Sequence, residues 1–173
     1  MERRILKEAR SNFITKLGYA FRDEQHYYLA LECAENGDLY DMISSDDRVR
    51  RKLRKSGEES IRFILGCIVL GLEYLHKKNI VYRDLKPENL LIFKDGYIKL
   101  TDFGLCKDLN APNKKEMKAG TPEYFAPEII LSDQVGKTVD LWSLGVIAYE
   151  LVNYEIPFEY EVICDGERFA EAV

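Results

Sequence analysis

Two short loops hold the residues of this sequence best equipped for chemistry. The first, YRDLKPENLL at residues 82–91, carries Asp84, Lys86 and Asn89; the second, TDFG at residues 101–104, puts Asp102 directly after an apolar run. Two carboxylates and a carboxamide supply hard oxygen donors, the kind Mg²⁺ takes while keeping several waters and completing its shell with substrate phosphate oxygens. Lys86, two residues past Asp84, lies on the same side of an extended loop and adds positive charge. A carboxylate left free of metal can accept a proton from an attacking hydroxyl. Together these groups suit phosphoryl transfer, where catalysis is mostly positioning and charge stabilisation. By ordinary residue usage a lone DFG occurs in on the order of a few per cent of chains this long. Its partnership with a DxxxxN loop thirteen residues upstream removes chance as a serious competitor.

Those loops need elements to bring them together. A short hairpin is predicted between them, from residues 90–93 and 97–101 turned by Lys94, Asp95 and Gly96. Upstream, Ile61, Ile64, Leu65, Ile68, Leu72 and Leu75 share one helical face, after a capping-box spacing at Ser56, Gly57, Glu58 and Glu59. Residues 2–10 are helix-prone. Residues 14–21 and 26–33 read as two aromatic-rich strands around a polar turn. Residues 108–118 have no periodicity and read as a mobile loop, and residues 140–152 as a strongly apolar helix.

Composition bounds the class. With 173 residues, 46% hydrophobic and 32% charged, the chain is long enough for one ordinary domain core. Its longest uncharged stretch, residues 63–72, has ten residues, where a membrane-spanning helix needs about 17–25. The first ten residues carry no apolar core behind their charges, which argues against a secretory signal. Cys33, Cys67, Cys106 and Cys164 are scattered without a CxxC pair and read as reduced intracellular thiols, neither a disulfide frame nor a zinc site. A net charge of −5 argues against nucleic acid as a main partner. RVRRKLRK, residues 48–55, has six basic residues in eight. A targeting or phosphate-binding patch is one reading, and a solvated connection between two helices is the preferred one.

YRDLKPEN, DFG (102–104) and APE (126–128) resemble the catalytic loop, magnesium loop and activation-segment end of a eukaryotic protein kinase. Tyr82 where most kinases carry histidine, with DFGLCK (102–107) and GTPEYFAPE (120–128), resembles the AGC group in particular. The resemblance implies an α+β, protein-kinase-like fold, truncated, with a mostly α-helical C-lobe and a remnant of the N-lobe sheet. Residues 1–31 would be the N-lobe remnant, 32–36 the hinge and 37–173 an incomplete C-lobe. It implies a serine/threonine protein kinase using ATP and Mg²⁺, acting on protein substrates, intracellular and cytoplasmic, with no membrane span.

Carried across by position, the resemblance makes Asp84 the catalytic base and gives Lys86 the γ-phosphate. It gives magnesium to Asn89 and Asp102. Leu31, Glu32, Ala34, Leu91, Thr101 and Asp102 would surround the nucleotide, Glu32 and Ala34 through their backbone. Thr121 would pack beside Asp84 and Lys86. Leu6, Leu17, Tyr82 and Phe103 would stack as an apolar column anchored on Asp140. The family's contacts to basic residues upstream of the acceptor fall on Asp38, Glu88 and Glu150, with arginine favoured over lysine because its pairs are bidentate. Asp38 also stands at a helix start, where capping is the competing role. Glu150 lies in an apolar helix, where an unpaired carboxylate is costly, so a cationic partner is expected.

The resemblance also places the Gly-rich phosphate loop, and the lysine that pairs with Glu2, ahead of the residues of this chain. The arginine that pairs with Glu128 falls after them. Met117 stands where such kinases carry a phosphorylated threonine, which would leave Arg83 to Glu116 or to a partner for its counter-charge. The other reading from these departures is a pseudokinase-like or truncated non-catalytic binding module.

Overall fold

The apolar positions at helical spacing build the central helix of a computed structural model that describes residues 1–44, 47–111, 119–132, 135–158 and 163, and for residues 47–56 the backbone alone. Helix α3 runs Asp47–Lys77 and buries Ile64, Ile68, Leu72 and Leu75. The basic run of residues 48–55 is therefore not a connection between helices. Its backbone is itself helical, and the break comes at Gly57, whose φ of 66° and ψ of −162° kink the helix. Regular helix resumes within the expected cap sequence, where Glu58 pairs with Arg62 one turn on at 2.9 Å.

Helix α1, Glu2–Glu8, buries Ile5 and Leu6 against this core while Arg3, Arg4 and Lys7 face outward. Strands β1 (Leu17–Arg22) and β2 (Tyr27–Leu31) form an antiparallel pair with a register shift between Leu17 and Tyr19. The first strand is shorter than its apolar pattern suggests because the preceding residues pair elsewhere. Thr15 N–H and Oγ1 both donate to the Leu100 carbonyl at 3.0 and 2.8 Å, and Leu100 N–H donates to Phe13. Ile14, fully buried, forms a parallel bridge with Leu100.

Helix α2, Leu39–Ser44, is short and capped by Asp38, whose Oδ1 accepts the Asp41 N–H at 2.8 Å. Strand β3 (Ile80–Val81) leads into the first chemical loop. The expected hairpin forms from β4 (Leu90–Ile92) and β5 (Ile98–Leu100). Strand β6, Lys107–Asp108, pairs antiparallel with β3, so the segment predicted as loop from residue 108 begins as a ladder. Residues 112–118, with Glu116 and Met117, lie outside the described residues, as does Cys164. Helix α4 is Pro127–Ser132 and helix α5 is Thr138–Asn153, which buries Val139, Asp140, Ser143, Val146, Ile147, Glu150 and Leu151. Together these elements make the α+β fold expected from the sequence, mostly helical from residue 39 onward.

Of the four residues expected to stack, Leu6, Tyr82 and Phe103 are buried in the main core cluster, with Leu17 packed against it. Tyr82 and Phe103 meet edge-to-face with ring centroids 5.7 Å apart.

Where α3 passes under β5, the contact leaves no room for a side chain at Gly71. A Cβ there would collide with the Leu100 side chain and lie 3.1 Å from the Phe13 carbonyl. Gly71→Ala gains helix propensity of about 1 kcal/mol but overpacks the joint by about 1–3 kcal/mol. The expected outcome is a net loss, read as a lower urea midpoint at unchanged slope. An equal or higher midpoint would show that Leu100 can move aside.

Candidate active site

The first loop is held from beneath by one carboxylate. Asp140, 1% exposed in the first turn of α5, accepts the Tyr82 N–H through Oδ2 and the Arg83 N–H through Oδ1, each at 2.9 Å. His76 Nε2, at the end of α3, lies 2.6 Å from the same Oδ2. Arg83 has a φ of 72°, a backbone conformation that side-chain-bearing residues seldom adopt. Two charge-assisted hydrogen bonds on consecutive amides are what hold it there. Arg83 also donates from Nε to the Leu105 carbonyl at 2.6 Å, tying this loop to the residues after DFG.

Past this anchor the loop presents its functional side chains. Asp84 is buried, and its Oδ2 accepts Asn89 Nδ2 at 2.9 Å; the same Nδ2 donates to the Asp84 carbonyl. The Asn89 amide oxygen is thereby turned away from Asp84. Thr121 Oγ1 donates to Asp84 Oδ1 at 3.1 Å and accepts from Lys86 Nζ at 2.9 Å, while Nζ stands 3.6 Å from Asp84 Oδ2. Asp84, Lys86, Asn89 and Thr121 are thus one connected network, although Thr121 is remote in sequence. Gly120 makes the approach possible. Its φ is 121°, and a Cβ there would lie 2.6 Å from the Arg83 carbonyl and 2.9 Å from Phe125.

The second loop is tied to the first by backbone. Thr101 N–H donates to the Asn89 carbonyl at 3.1 Å, and the Tyr82 hydroxyl donates to the Thr101 carbonyl. Asp102 follows with a φ of 51°, its Oδ1 accepting the Gly104 N–H at 3.1 Å, and Phe103 is fully buried. Burial holds the Tyr82 hydroxyl far above its usual range, helped by the nearby carboxylates of Asp84, Asp102 and Asp140. Burial likewise pushes the Cys106 thiol well up, so it is an inert core group. Asn89 and Asp102 offer hard oxygens on adjoining loops, which fits magnesium. Among the described residues there is no cluster of three or more His, Cys, Asp or Glu able to cage a metal. Two protein ligands with water and phosphate oxygens is the magnesium pattern.

The other expected site residues are distributed around this centre. Leu31 ends β2, Glu32 and Ala34 follow it, and Leu91 in β4 forms a bridge with Asp38. Glu88 is exposed in the 3₁₀ turn Pro87–Asn89. Glu150 is buried, and within the chain the Tyr124 hydroxyl donates to its Oε2 at 2.9 Å. Burial raises the Glu150 carboxyl above the usual carboxylate range; the Tyr124 hydrogen bond opposes this and the charge of Glu88 adds to it. Glu128 accepts the Thr138 hydroxyl at 3.0 Å, and Glu2 lies in the first turn of α1.

Sequence reasoning missed three contributors. His76 gave no signal beyond being one of two histidines. Gly120 stood inside a quoted motif without a role. Tyr124 was legible only as an aromatic.

The sequence as a whole bears on the same point. The family model described as protein kinase domain matches residues 1–169. The chain belongs to the protein kinase domain family. The cGMP-dependent protein kinase, isozyme 1, of Drosophila melanogaster is 41% identical to this kinase domain over 157 residues, covering 91% of the chain and 20% of the relative. The cGMP-dependent protein kinase of Plasmodium berghei is 43% identical over 158 residues, covering 91% and 17%. The RAC-beta serine/threonine-protein kinase of Homo sapiens is 41% identical over 174 residues, covering 99% and 34%. Both kinds of relative are AGC-group serine/threonine kinases, in agreement with the motif reading. The chain spans about a third or less of the length of these relatives.

Two outcomes follow from the buried carboxylates. Asp140→Asn turns an amide N–H toward a loop that offers donors, so the kinase domain is expected to lose about 3–5 kcal/mol by chemical denaturation. A loss below 1 kcal/mol would show that the loop keeps its shape without the charge. Glu150, with its folded-state pKa raised, binds its proton more tightly folded than unfolded. Its contribution to stability therefore falls as pH rises from the ordinary carboxylate range through the raised value. Glu150→Gln should be more stable than the parent at neutral pH, with the difference closing toward acid pH. Denaturation midpoints measured across that range check it, and a pH-independent difference would contradict it.

Proposed function

We propose that this chain forms the phosphoryl-transfer core of a serine/threonine protein kinase that moves the γ-phosphate of ATP to protein hydroxyls. One observation carries the reading: Asp84, Lys86, Asn89 and Thr121 are joined by direct hydrogen bonds around a single buried carboxylate. A lobe kept only as a binding surface has no physical need for that network.

In this reading Asp84 accepts the proton of the acceptor hydroxyl. Both of its oxygens are already held, one by Asn89 and one by Thr121, so the carboxylate is oriented before substrate arrives. Lys86 places its ammonium beside the base, where the transferred phosphate carries negative charge. The Asn89 amide oxygen and Asp102 would hold magnesium, which when bound neutralises phosphate oxygens. Residues 32–36 act as the hinge between residues 1–31 and the rest. Leu31, Glu32, Ala34, Leu91 and Thr101 enclose the nucleotide, with the adenine facing the backbone of Glu32 and Ala34.

Substrate choice follows from Glu88 and Glu150. The charge of Glu88 raises the Glu150 carboxyl, so the two stand close enough to repel. A guanidinium placed against both relieves that repulsion and pairs bidentately, which favours arginine upstream of the acceptor. Asp38 supports a third basic contact only through the oxygen that its capping bond leaves free.

The test is a phosphotransfer assay on the whole protein with paired serine peptides carrying upstream arginine or alanine. Asp84→Asn is expected to lower the rate by about 10²–10⁴, and Glu88→Gln to narrow the arginine preference while sparing the alanine peptide. Transfer that survives Asp84→Asn and Asp102→Ala unchanged would overturn the assignment.

A further inference from the structure

Three chain segments meet on the side chain of Glu32. Its Oε1 accepts the backbone N–H of Lys16, just ahead of β1, at 2.8 Å, and its own N–H donates to the Lys16 carbonyl at 3.0 Å. The same carboxylate receives Lys99 Nζ from β5 on both oxygens, at 2.8 and 2.9 Å. The Lys99 side chain is 12% exposed and that of Glu32 25%, so water competes weakly for either. The Lys99 ammonium also sits 4.0 Å from the centre of the Phe93 ring, a second hold on its position.

Downstream of Glu32 the chain is strapped to the β4–β5 hairpin by other means. Lys94 N–H donates to Glu35, Asn36 donates from its backbone to Ile92 and from its side chain to Phe93, and Ile92 N–H donates to Gly37. These bonds fix residues 35–37 to the helical body. They do nothing for the β1–β2 pair on the other side. Among the described residues, the Glu32 carboxylate is where a charge pair from the hairpin reaches across residues 32–36 to the lead-in of β1.

We propose that Lys99, acting through Glu32, is a positioning residue that sets the angle between the β1–β2 pair and the helical body. The Lys16 amide and the Lys99 ammonium both donate to Oε1, and the ammonium reaches Oε2 as well, so the two donors together hold the carboxylate in one geometry. Removing the ammonium leaves Glu32 with a single backbone donor, and its side chain is free to turn to solvent. The Lys16 contact then opens with it, and the hinge loses its registration against β5. The consequence for nucleotide binding rests on the hinge role given above, because the backbone that faces adenine belongs to Glu32 and Ala34.

The test uses the whole protein as wild type, Lys99→Met, Lys99→Arg, Glu32→Gln and the Glu32→Gln/Lys99→Met double variant. Hydrogen exchange reads the lock directly. Lys99→Met should speed exchange of the Lys16 and Glu32 amides by about tenfold, with the Tyr82 and Arg83 amides unchanged, which a general loss of stability would not produce. Lys99→Arg should stay within about twofold of wild type, since its guanidinium can span the same carboxylate. The double variant should be no worse than Lys99→Met alone, because both changes remove one interaction. Titration with ATP should show weaker binding in Lys99→Met at unchanged maximal transfer rate. Unchanged exchange at Lys16 and Glu32 in Lys99→Met, or additive effects in the double variant, would overturn the proposal. If wild type binds no ATP while the exchange arm responds as stated, the hinge lock stands and the nucleotide reading is what fails.

Discussion

A carboxylate at the start of an apolar helix carries the geometry of this kinase domain. Asp140 accepts two consecutive backbone N–H groups from the catalytic loop and faces His76 from α3, and is itself almost fully buried. A buried charge is costly unless every lone pair is used, and here the uses are the structure: the loop, α3 and α5 are joined at one point. Arg83 is held in a left-handed conformation by that anchor, and Asp84 comes next in the chain. The direction of the Asp84 carboxylate is thus set from below, by a residue 56 positions away in sequence.

Helix α5 ties down the opposite wall by the same means. Ser143 donates to the Tyr124 carbonyl at 2.7 Å, and the Tyr124 hydroxyl donates to Glu150 at 2.9 Å. The segment that delivers Gly120 and Thr121 to Asp84 is therefore fastened to the same helix that anchors the Asp84 loop. Both walls of the site share one rigid support, so a displacement of one relative to the other must bend a packed helix or break a buried hydrogen bond. Arg4 adds a surface link at 2.6 Å from α1 to Asp108 in β6, coupling the helix that carries Glu2 to the strand after DFG. That carboxylate is held below its usual range by the Arg4 hydrogen bond.

The proposed hinge, residues 32–36, obeys a different logic. Its backbone is strapped to the β4–β5 hairpin by local hydrogen bonds, whereas the β1–β2 pair is attached through Leu100 on one side and Glu32 on the other. Polar contacts at such a joint can exchange with water, while the core cluster that holds Leu6, Tyr82 and Phe103, with Leu17 packed against it, is buried away from water. The two kinds of attachment divide the work: the cluster fixes which elements face each other, and the polar joint fixes their angle.

Much of this was legible in the residues. The Asp84, Lys86, Asn89 and Asp102 spacing, the hairpin between the loops and the apolar face of α3 each follow from local chemistry or periodicity, which act over a few residues and leave a mark in the chain. Asp38 as a cap was equally local. The failures were of longer range. The basic run of residues 48–55 read as a connection because charge hides helical backbone, and residue 108 read as loop because a two-residue strand has no period until β3 stands beside it. The phenol that meets Glu150 left no mark in the sequence either, since only packing could bring Tyr124 beneath α5. The sequence by itself determined the chemical groups and the family they belong to. Tertiary structure alone decided which groups share a proton or a charge, because Asp140 with Tyr82, Thr121 with Asp84 and Glu32 with Lys99 are pairs separated by 37 to 67 residues, and no local pattern encodes a contact across such a distance.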